Sequence, residues 1–289
     1  MYLLQILFNS LVTGTHITLI ALPLYIVYAA SKTHHLALGD IGTFCAYVFY
    51  ILVTNTHNIW LGVMGMIGAT ILMSFISFYL LEYYNNKRHY LLGMLVSFIA
   101  GLLLTAIISI LWGTDGKTFS TLTIPAYQVM GLTIPLPAIM TLATGVIALL
   151  GLYTLLNHTP FGRKLKSLAE NPYISQSLSI SAKHIRIISY LIAITLAGMT
   201  TIFTGMYTAL TPGMGLGTVI LAFLALLMGG NAQIKGVIFA SFLLALIPEF
   251  LIAFTSVNSS AKMLITFMIA TVILLLRPKG IFYKQARTF

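Results

Sequence analysis

Apolar residues run along this chain in blocks too continuous for a half-buried strand or the narrow stripe of a soluble amphipathic helix. Nine blocks stand near residues 3–28, 39–54, 60–82, 90–112, 137–156, 186–209, 217–229, 236–254 and 262–276. A hydrocarbon core of about 30 Å takes roughly 20 helical residues to cross. Two blocks are short: as helices, 39–54 would reach about 24 Å and 217–229 about 20 Å. Each follows a full-length block after a break, Ser31-Lys32-Thr33-His34-His35 in the first case and Thr211-Pro212-Gly213-Met214-Gly215 in the second. The pattern predicts an all-α, polytopic integral membrane protein. We expect eight to nine transmembrane segments, including short broken helices, in a single domain over residues 1–289.

Composition supports lipid as the solvent. The chain is 59% hydrophobic and 7% charged, with a mean hydropathy of +0.99, whereas a soluble domain carries about 25% charged residues. The first block lacks a basic leader and continues past signal-peptide length, so it reads as a first span. Cys45 is the single cysteine, which excludes an internal disulfide and a thiolate metal site. The net charge of +10 is accounted for by basic cytoplasmic loops, and no aromatic-interleaved groove for nucleic acid is present.

The distribution of that charge sets an orientation. With the N-terminus outside and nine crossings, Lys32, Lys87, Arg88, Arg163, Lys164, Lys166, Lys183, Arg186, Lys235, Arg277, Lys279, Lys284 and Arg287 fall inside. Only Lys117 and Lys262 fall outside. The positive-inside rule favours this topology, with the C-terminus cytoplasmic. The two groups of long block, break and short block are then five crossings apart and inverted, as in the inverted repeats of transporters.

Residues 157–185 form the longest inward loop. Thr159-Pro160 suits an N-cap and first helical position, and Phe161 to Ala169 is helical in propensity and basic. Asn171-Pro172 offers a second start, for a short helix over about 172–179, with Glu170 placed favourably before its N-terminus. The basic face fits either an anchor to anionic lipid or a docking segment for a cytoplasmic partner.

Candidate chemistry is sparse. Asp40 opens the short second block, where a carboxylate either caps the helix or marks a pathway. An aspartyl-enzyme pair needs a second nearby Asp, and the other one, Asp115, lies in an outer loop. Glu249 stands near the outer end of the eighth block, with a structural or gating role expected before substrate binding. The histidines lack the i, i+4 spacing and acid of a metal site. Gly116-Lys117-Thr118 lacks the glycine a phosphate loop needs at position 111, which is Leu. The break through Thr211-Pro212-Gly213-Met214-Gly215-Leu216-Gly217 suits either unwound backbone beside a path or an outer turn.

Four stretches occur in an order that resembles a known family. They are Phe161-Gly162-Arg163 through Ala169-Glu170-Asn171 and on to Ile180, His35-Leu36-Ala37-Leu38-Gly39-Asp40, Gly229-Gly230 with Gly236, and Arg277-Pro278-Lys279-Gly280-Ile281-Phe282. Together they are similar to the permease subunits of ABC importers for branched-chain amino acids. His35 stands where Asn is usual, Leu38 where many members have His, and Ala232 where a Gly is lost; these departures lie near the expected path and bear on the substrate. The resemblance implies half of a translocation pore in a bacterial cytoplasmic membrane, for branched-chain or other small amino acids. It implies a second permease subunit, separate ATP-binding subunits that hold ATP and Mg, and an extracytoplasmic solute-binding protein. It makes Arg163, Ala169, Glu170, Asn171 and Pro172 candidates for coupling to the ATPase. His35, Gly39, Asp40, Pro212, Gly213, Gly215 and Gly217 are the candidates for the path or helix breaks, with the first, second, sixth and seventh segments lining it. The alternative is a secondary transporter driven by an ion gradient, for which Asp40 and Glu249 are the acids available; a membrane enzyme lacks any paired acid or nucleophile–base set.

Overall fold

The computed structural model describes residues 2–119, 125–129, 132–170, 175, 181–230, 234–254, 261–278 and 280–282. Among these residues the chain forms ten helices and one hairpin: α1 (Tyr2–Ser31), α2 (Leu38–Thr56), α3 (Ile59–Asn86), α4 (Tyr90–Trp112), β1 (Ala126–Val129), β2 (Leu132–Pro135), α5 (Leu136–His158), α6 (Pro160–Glu170), α7 (Ala182–Tyr207), α8 (Met214–Gly229), α9 (Ile234–Phe254) and α10 (Lys262–Leu276). Seven of them, α1 to α5, α7 and α9, are long and apolar enough to cross a membrane, and α8 and α10 are shorter apolar helices. The protein is a multi-pass membrane protein. The nine apolar blocks correspond one to one with nine of the helices. The hairpin, paired antiparallel with Ala126 opposite Pro135, is an addition to the all-helical expectation. Its outer strand is clasped to the start of α1, where the Gln5 amide accepts from Thr133 N at 3.0 Å and donates to Thr133 O at 3.3 Å.

Local chemistry sets several boundaries. The α2–α3 turn ends α2 with His57 in a left-handed conformation and starts α3 on Asn58, whose side chain accepts from Trp60 N at 2.9 Å. Ser10, Thr18, Ser74 and Ser189, buried inside the spans, bond back to carbonyls of the preceding turn, so these four hydroxyls enter an apolar interior with their donors paired.

The packing repeats itself. In the first half α1 is followed by a break and by α2, α3 and α4; in the second, α7 is followed by a break and by α8, α9 and α10. α1 packs on α8 and α9 as α7 packs on α2 and α3, and the α2–α3, α2–α4 and α3–α4 contacts recur as α8–α9, α8–α10 and α9–α10. The repeats are inverted: Arg186, near the start of α7, reaches Ala30 at the end of α1, while Thr204, near the end of α7, meets His16 in the middle of α1. The main core lies among α1, α2, α7 and α8, and a smaller apolar cluster (Leu22, Ile26, Leu152, Leu156, Leu165, Leu168) joins α1, α5 and α6.

Candidate functional site

The two breaks converge on the centre of the repeat. Gly39 is the second residue of α2 and Gly215 the second residue of α8. A Cβ on Gly39 would lie 2.8 Å from the Gly215 carbonyl carbon, and one on Gly215 would lie 2.6 Å from Asp40 N. Equivalent positions that touch each other stand beside the pseudo-twofold axis. Gly229 and Gly236 make a second backbone approach, where α8 turns into α9.

The first break is held from three sides. Lys32, left-handed at φ 60°, closes α1 by donating its N–H to Tyr28 O at 2.7 Å. Thr33 Oγ1 donates to Asn85 Oδ1 of α3 at 2.7 Å. Leu36 N donates to Ser97 Oγ of α4 at 3.1 Å. His34 stacks on Tyr28 at 4.4 Å and meets Phe223 of α8 edge-on. His35 is buried, with Nε2 3.1 Å from Ser77 Oγ and its ring edge-on to Tyr190. Between the two spans, burial holds both imidazoles down to about 4, so they are neutral at ordinary pH.

Asp40, for which the sequence left a helix cap and a pathway residue both open, is not the N-cap of α2. Ala37 is the N-cap, without a side-chain cap bond, and Asp40 sits in the first turn of α2, 2% exposed. Its Oδ1 accepts from Thr105 Oγ1 at 3.2 Å, so it faces the middle of α4. The physical reason is the path of 32–37: Ser97 and Asn85 draw this segment back among the helices, and α2 begins inside the bundle. The carboxylate therefore ties α2 to α4.

The second break runs from Thr208 to Gly213. Ala209 takes φ 131°, and Leu210 pairs with Lys117 through two backbone bonds of 2.8 Å. Leu210 O also accepts from Tyr47 Oη at 3.2 Å. Pro212 is buried, Gly213 is exposed in open space, and Gly217 faces Met263 of α10. The structure thus brings Gly39, Asp40 and Gly215 together, keeps His35 in the same break against Ser77 of α3 and Tyr190 of α7, and leaves Pro212 and Gly213 just before α8 and Gly217 in its first turn.

At the other candidate region, α6 is an amphipathic helix that lies on α5 and α1. Gly162, Leu165 and Leu168 are buried, while Arg163, Lys164, Lys166 and Glu170 are exposed. Thr159 acts as the expected cap, accepting from Gly162 N at 3.2 Å. Gly162 lets this first turn press on the last carbonyls of α5, where a Cβ would have to displace Leu156 backbone. Ala169 is half-buried and its carbonyl accepts from Lys32 Nζ. A lysine there suits the negative C-terminal end of a helix. Burial pushes this ammonium below the usual lysine value. Asn171 and Pro172, with the helix expected over 172–179, lie outside the described residues apart from Ser175.

Sequence reasoning missed Glu82 and Arg186. Arg186 Nη1 donates to both Glu82 carboxylate oxygens at 2.9 Å and to Asn86 Oδ1 at 3.2 Å, and Nε donates to Ala30 O at 3.4 Å. This group locks α7 to α3 and α1 below the first break. The signal was present: a rare acid at the end of one span and an arginine at the start of another, on the same side. Glu249, left without a partner by the sequence, pairs with Lys262 at the start of α10.

The comparisons with known proteins agree with this architecture. Residues 6–274 match the family described as "Branched-chain amino acid transport system / permease component". The chain is 24% identical to the high-affinity branched-chain amino acid transport system permease protein BraD of Pseudomonas aeruginosa, covering 96% of this chain and 95% of that protein. It is 23% identical to LivH of Escherichia coli, which carries the same description, over 97% of this chain and 96% of that one. A solved structure, "PsaBC from Streptococcus pneumoniae in complex with Fab", shares the fold with a TM-score of 0.51 at 11% identity, over 95% of this chain and 92% of the other. With inverted, interrupted helices and an amphipathic helix packed under the first break, the chain belongs to the branched-chain amino acid transport permease family, and is a transporter permease rather than an enzyme.

Proposed function

We propose that this chain is the membrane subunit of an ATP-driven importer for branched-chain or other small amino acids, supplying half of a pore completed by a second permease subunit. Separate ATP-binding subunits dock on the 157–185 segment, an extracytoplasmic binding protein delivers the solute, and the N-terminus lies outside with the C-terminus in the cytoplasm of a bacterial cell. The observation that carries this reading is the bond from Lys32 to the Ala169 carbonyl. It connects the end of α6, the candidate docking helix, to the segment that joins α1 to α2. A push on α6 therefore reaches Gly39 and Asp40 through six residues of chain and the Ser97 and Asn85 contacts. Arg163 and Glu170 face outward on α6 for the partner, and Asn171 and Pro172 continue the same docking segment.

The test is to purify the chain from its native membrane and ask whether a nucleotide-binding protein accompanies it, then to measure amino-acid uptake by the reconstituted complex. Uptake should require ATP and survive collapse of the proton gradient. Paired replacement of Glu170 and Asn171 by Ala should release the nucleotide-binding protein and leave the helical content unchanged. Uptake that persists without ATP and collapses with the gradient would sink the importer reading.

A further inference from the structure

A cavity of about 470 Å³ opens between α1, α5, α6 and α9. Its walls are almost wholly apolar, built from Leu22, Ala29, Leu152, Leu156 and Ile238 among others. Leu150 and Tyr153 of α5 line it and are also 61% exposed each. The opening is thus sideways, across an outward apolar face, and in a membrane protein that face meets lipid. A closed ligand pocket would instead carry several convergent polar groups.

One end of the cavity differs. Lys166 of α6, Lys235 of α9 and Asn157 of α5 stand there. Lys166 Nζ donates to Asn157 Oδ1 at 2.8 Å, and both lysines are exposed. Among the described residues no Asp or Glu lines the cavity, and the two ion pairs, Glu82–Arg186 and Glu249–Lys262, use other residues. An apolar slot that opens to lipid and ends in two uncompensated ammonium groups is complementary to one kind of molecule, an acyl chain bearing an anionic phosphate headgroup.

We propose that this groove holds one anionic phospholipid, with an acyl chain between α1, α5 and α9 and its phosphate at Lys166 and Lys235. The position gives the lipid a structural consequence. It bridges α6 to α9, whereas among the described residues α6 packs chiefly on α5, α1 and α7 and is bonded to Lys32. Lipid occupancy sets how firmly the docking helix is seated. The site itself stands on the cavity and its charges, and does not depend on the importer reading.

The full chain, purified and reconstituted in nanodiscs, tests it with phosphatidylglycerol carrying a photoactivatable acyl chain. Crosslinks should fall on peptides spanning 22–29, 149–157 and 234–238. Unlabelled phosphatidylglycerol should compete, and phosphatidylcholine should compete at least tenfold less well. A lysine near an anionic surface contributes about 1 kcal/mol, so Lys166→Gln or Lys235→Gln should weaken competition about fivefold each, and the double variant about 25-fold. The charge-retaining pair Lys166→Arg and Lys235→Arg should keep the preference, which controls for folding. Ala29→Trp, which fills the slot with the lysines intact, should abolish the crosslinks. Labelling spread evenly over the exposed faces of α3 and α4, or equal competition by the two lipids, would overturn the proposal. Because the assay contains no ATPase and measures no uptake, its failure is separate from failure of the transport reading.

Discussion

Gly39 and Gly215 meet backbone to backbone where α2 and α8 begin, so that a methyl group on either would overlap the main chain of the other. Neither neighbour is a flexible side-chain end that could swing aside. Gly39→Ala or Gly215→Ala should therefore force α2 and α8 apart, at about 1–3 kcal/mol or more. The pair lies on the pseudo-twofold axis, and the two substitutions should disturb one contact rather than two. Their combined effect should fall short of the sum of the single effects. Thermal unfolding of the purified variants measures this; full additivity would contradict the shared contact.

Asp40 and Thr105 supply a second check. Thr105→Val keeps the shape of the side chain and removes the hydroxyl that the carboxylate accepts from. A buried acceptor left without its donor costs about 1–3 kcal/mol. If Asp40 were merely a cap for α2, Thr105→Val would leave the unfolding temperature unchanged. Gly101→Ala should be worse, since its methyl group would press on the Asp40 carboxylate from the same helix.

The ion pair at the start of α7 makes a prediction about charge. The Arg186 and Glu82 side chains are 12% and 21% exposed, so the pair is shielded from salt more than a surface bridge. Arg186→Ala strands a carboxylate, the Asn86 amide oxygen and the Ala30 carbonyl together, with an expected loss of about 3 kcal/mol. Glu82→Gln retains an acceptor and should cost less. Their double variant should be more stable than the sum of the single losses implies, and raising NaCl to molar levels should shift the wild-type melting temperature little. A strong salt dependence would place the pair in water.

These three sites show what sequence could and could not convey. The bounds of α4 and α10 coincide with the predicted blocks 90–112 and 262–276 because polar residues or glycine end the apolar run abruptly at His89, Gly113, Lys262 and Arg277. The breaks before α2 and α8 were legible, and Thr159 as a cap, because both are local signals; the 39–54 block reads as too short, whereas α2 runs 19 residues, long enough to cross. The partners of Asp40 and Arg186 were not. Thr105 lies 65 residues from Asp40, and Glu82 lies 104 from Arg186, and hydropathy reports which residues avoid water without reporting which helices meet. That Asp40 turns toward α4 was not legible for the same reason, since the inward turn of 32–37 depends on Ser97 and Asn85. The hairpin escaped because its strands are four residues each and sit between two spans.

His35 predicts a pH dependence. Burial lowers its pKa from 6.5 to about 4, so the unfolded chain binds more protons between those values. Stability from this group is fully present above pH 6.5 and is lost as pH falls through 4, with a slope of at most about 1.4 kcal/mol per pH unit. His34, lowered in the same way, adds to the slope. Melting curves from pH 8 to 4 should be flat and then decline. His35→Asn, which retains a polar group for Ser77 and removes the titration, should make the decline shallower. An unchanged slope would show that other groups control it.

Lys32 separates docking from transmission. It is not among the outward residues of α6, yet its ammonium holds the Ala169 carbonyl close to the C-terminal end of that helix. Removing the ammonium leaves the α6 surface intact and cuts its bond to the break. If motion passes through this contact, Lys32→Met should retain the ATP-binding subunits on purification while uptake falls at least tenfold. Lys32→Arg can still donate to a helix C-terminal carbonyl and should recover a good part of the uptake. The contrast with replacement of Glu170 and Asn171, which should lose the subunits themselves, makes the two steps distinguishable by one co-purification and one uptake measurement. If Lys32→Met transports as the wild type does, motion of α6 must reach α2 by another route, and the packing of Leu165 and Leu168 against the base of α1 is then the connection to test.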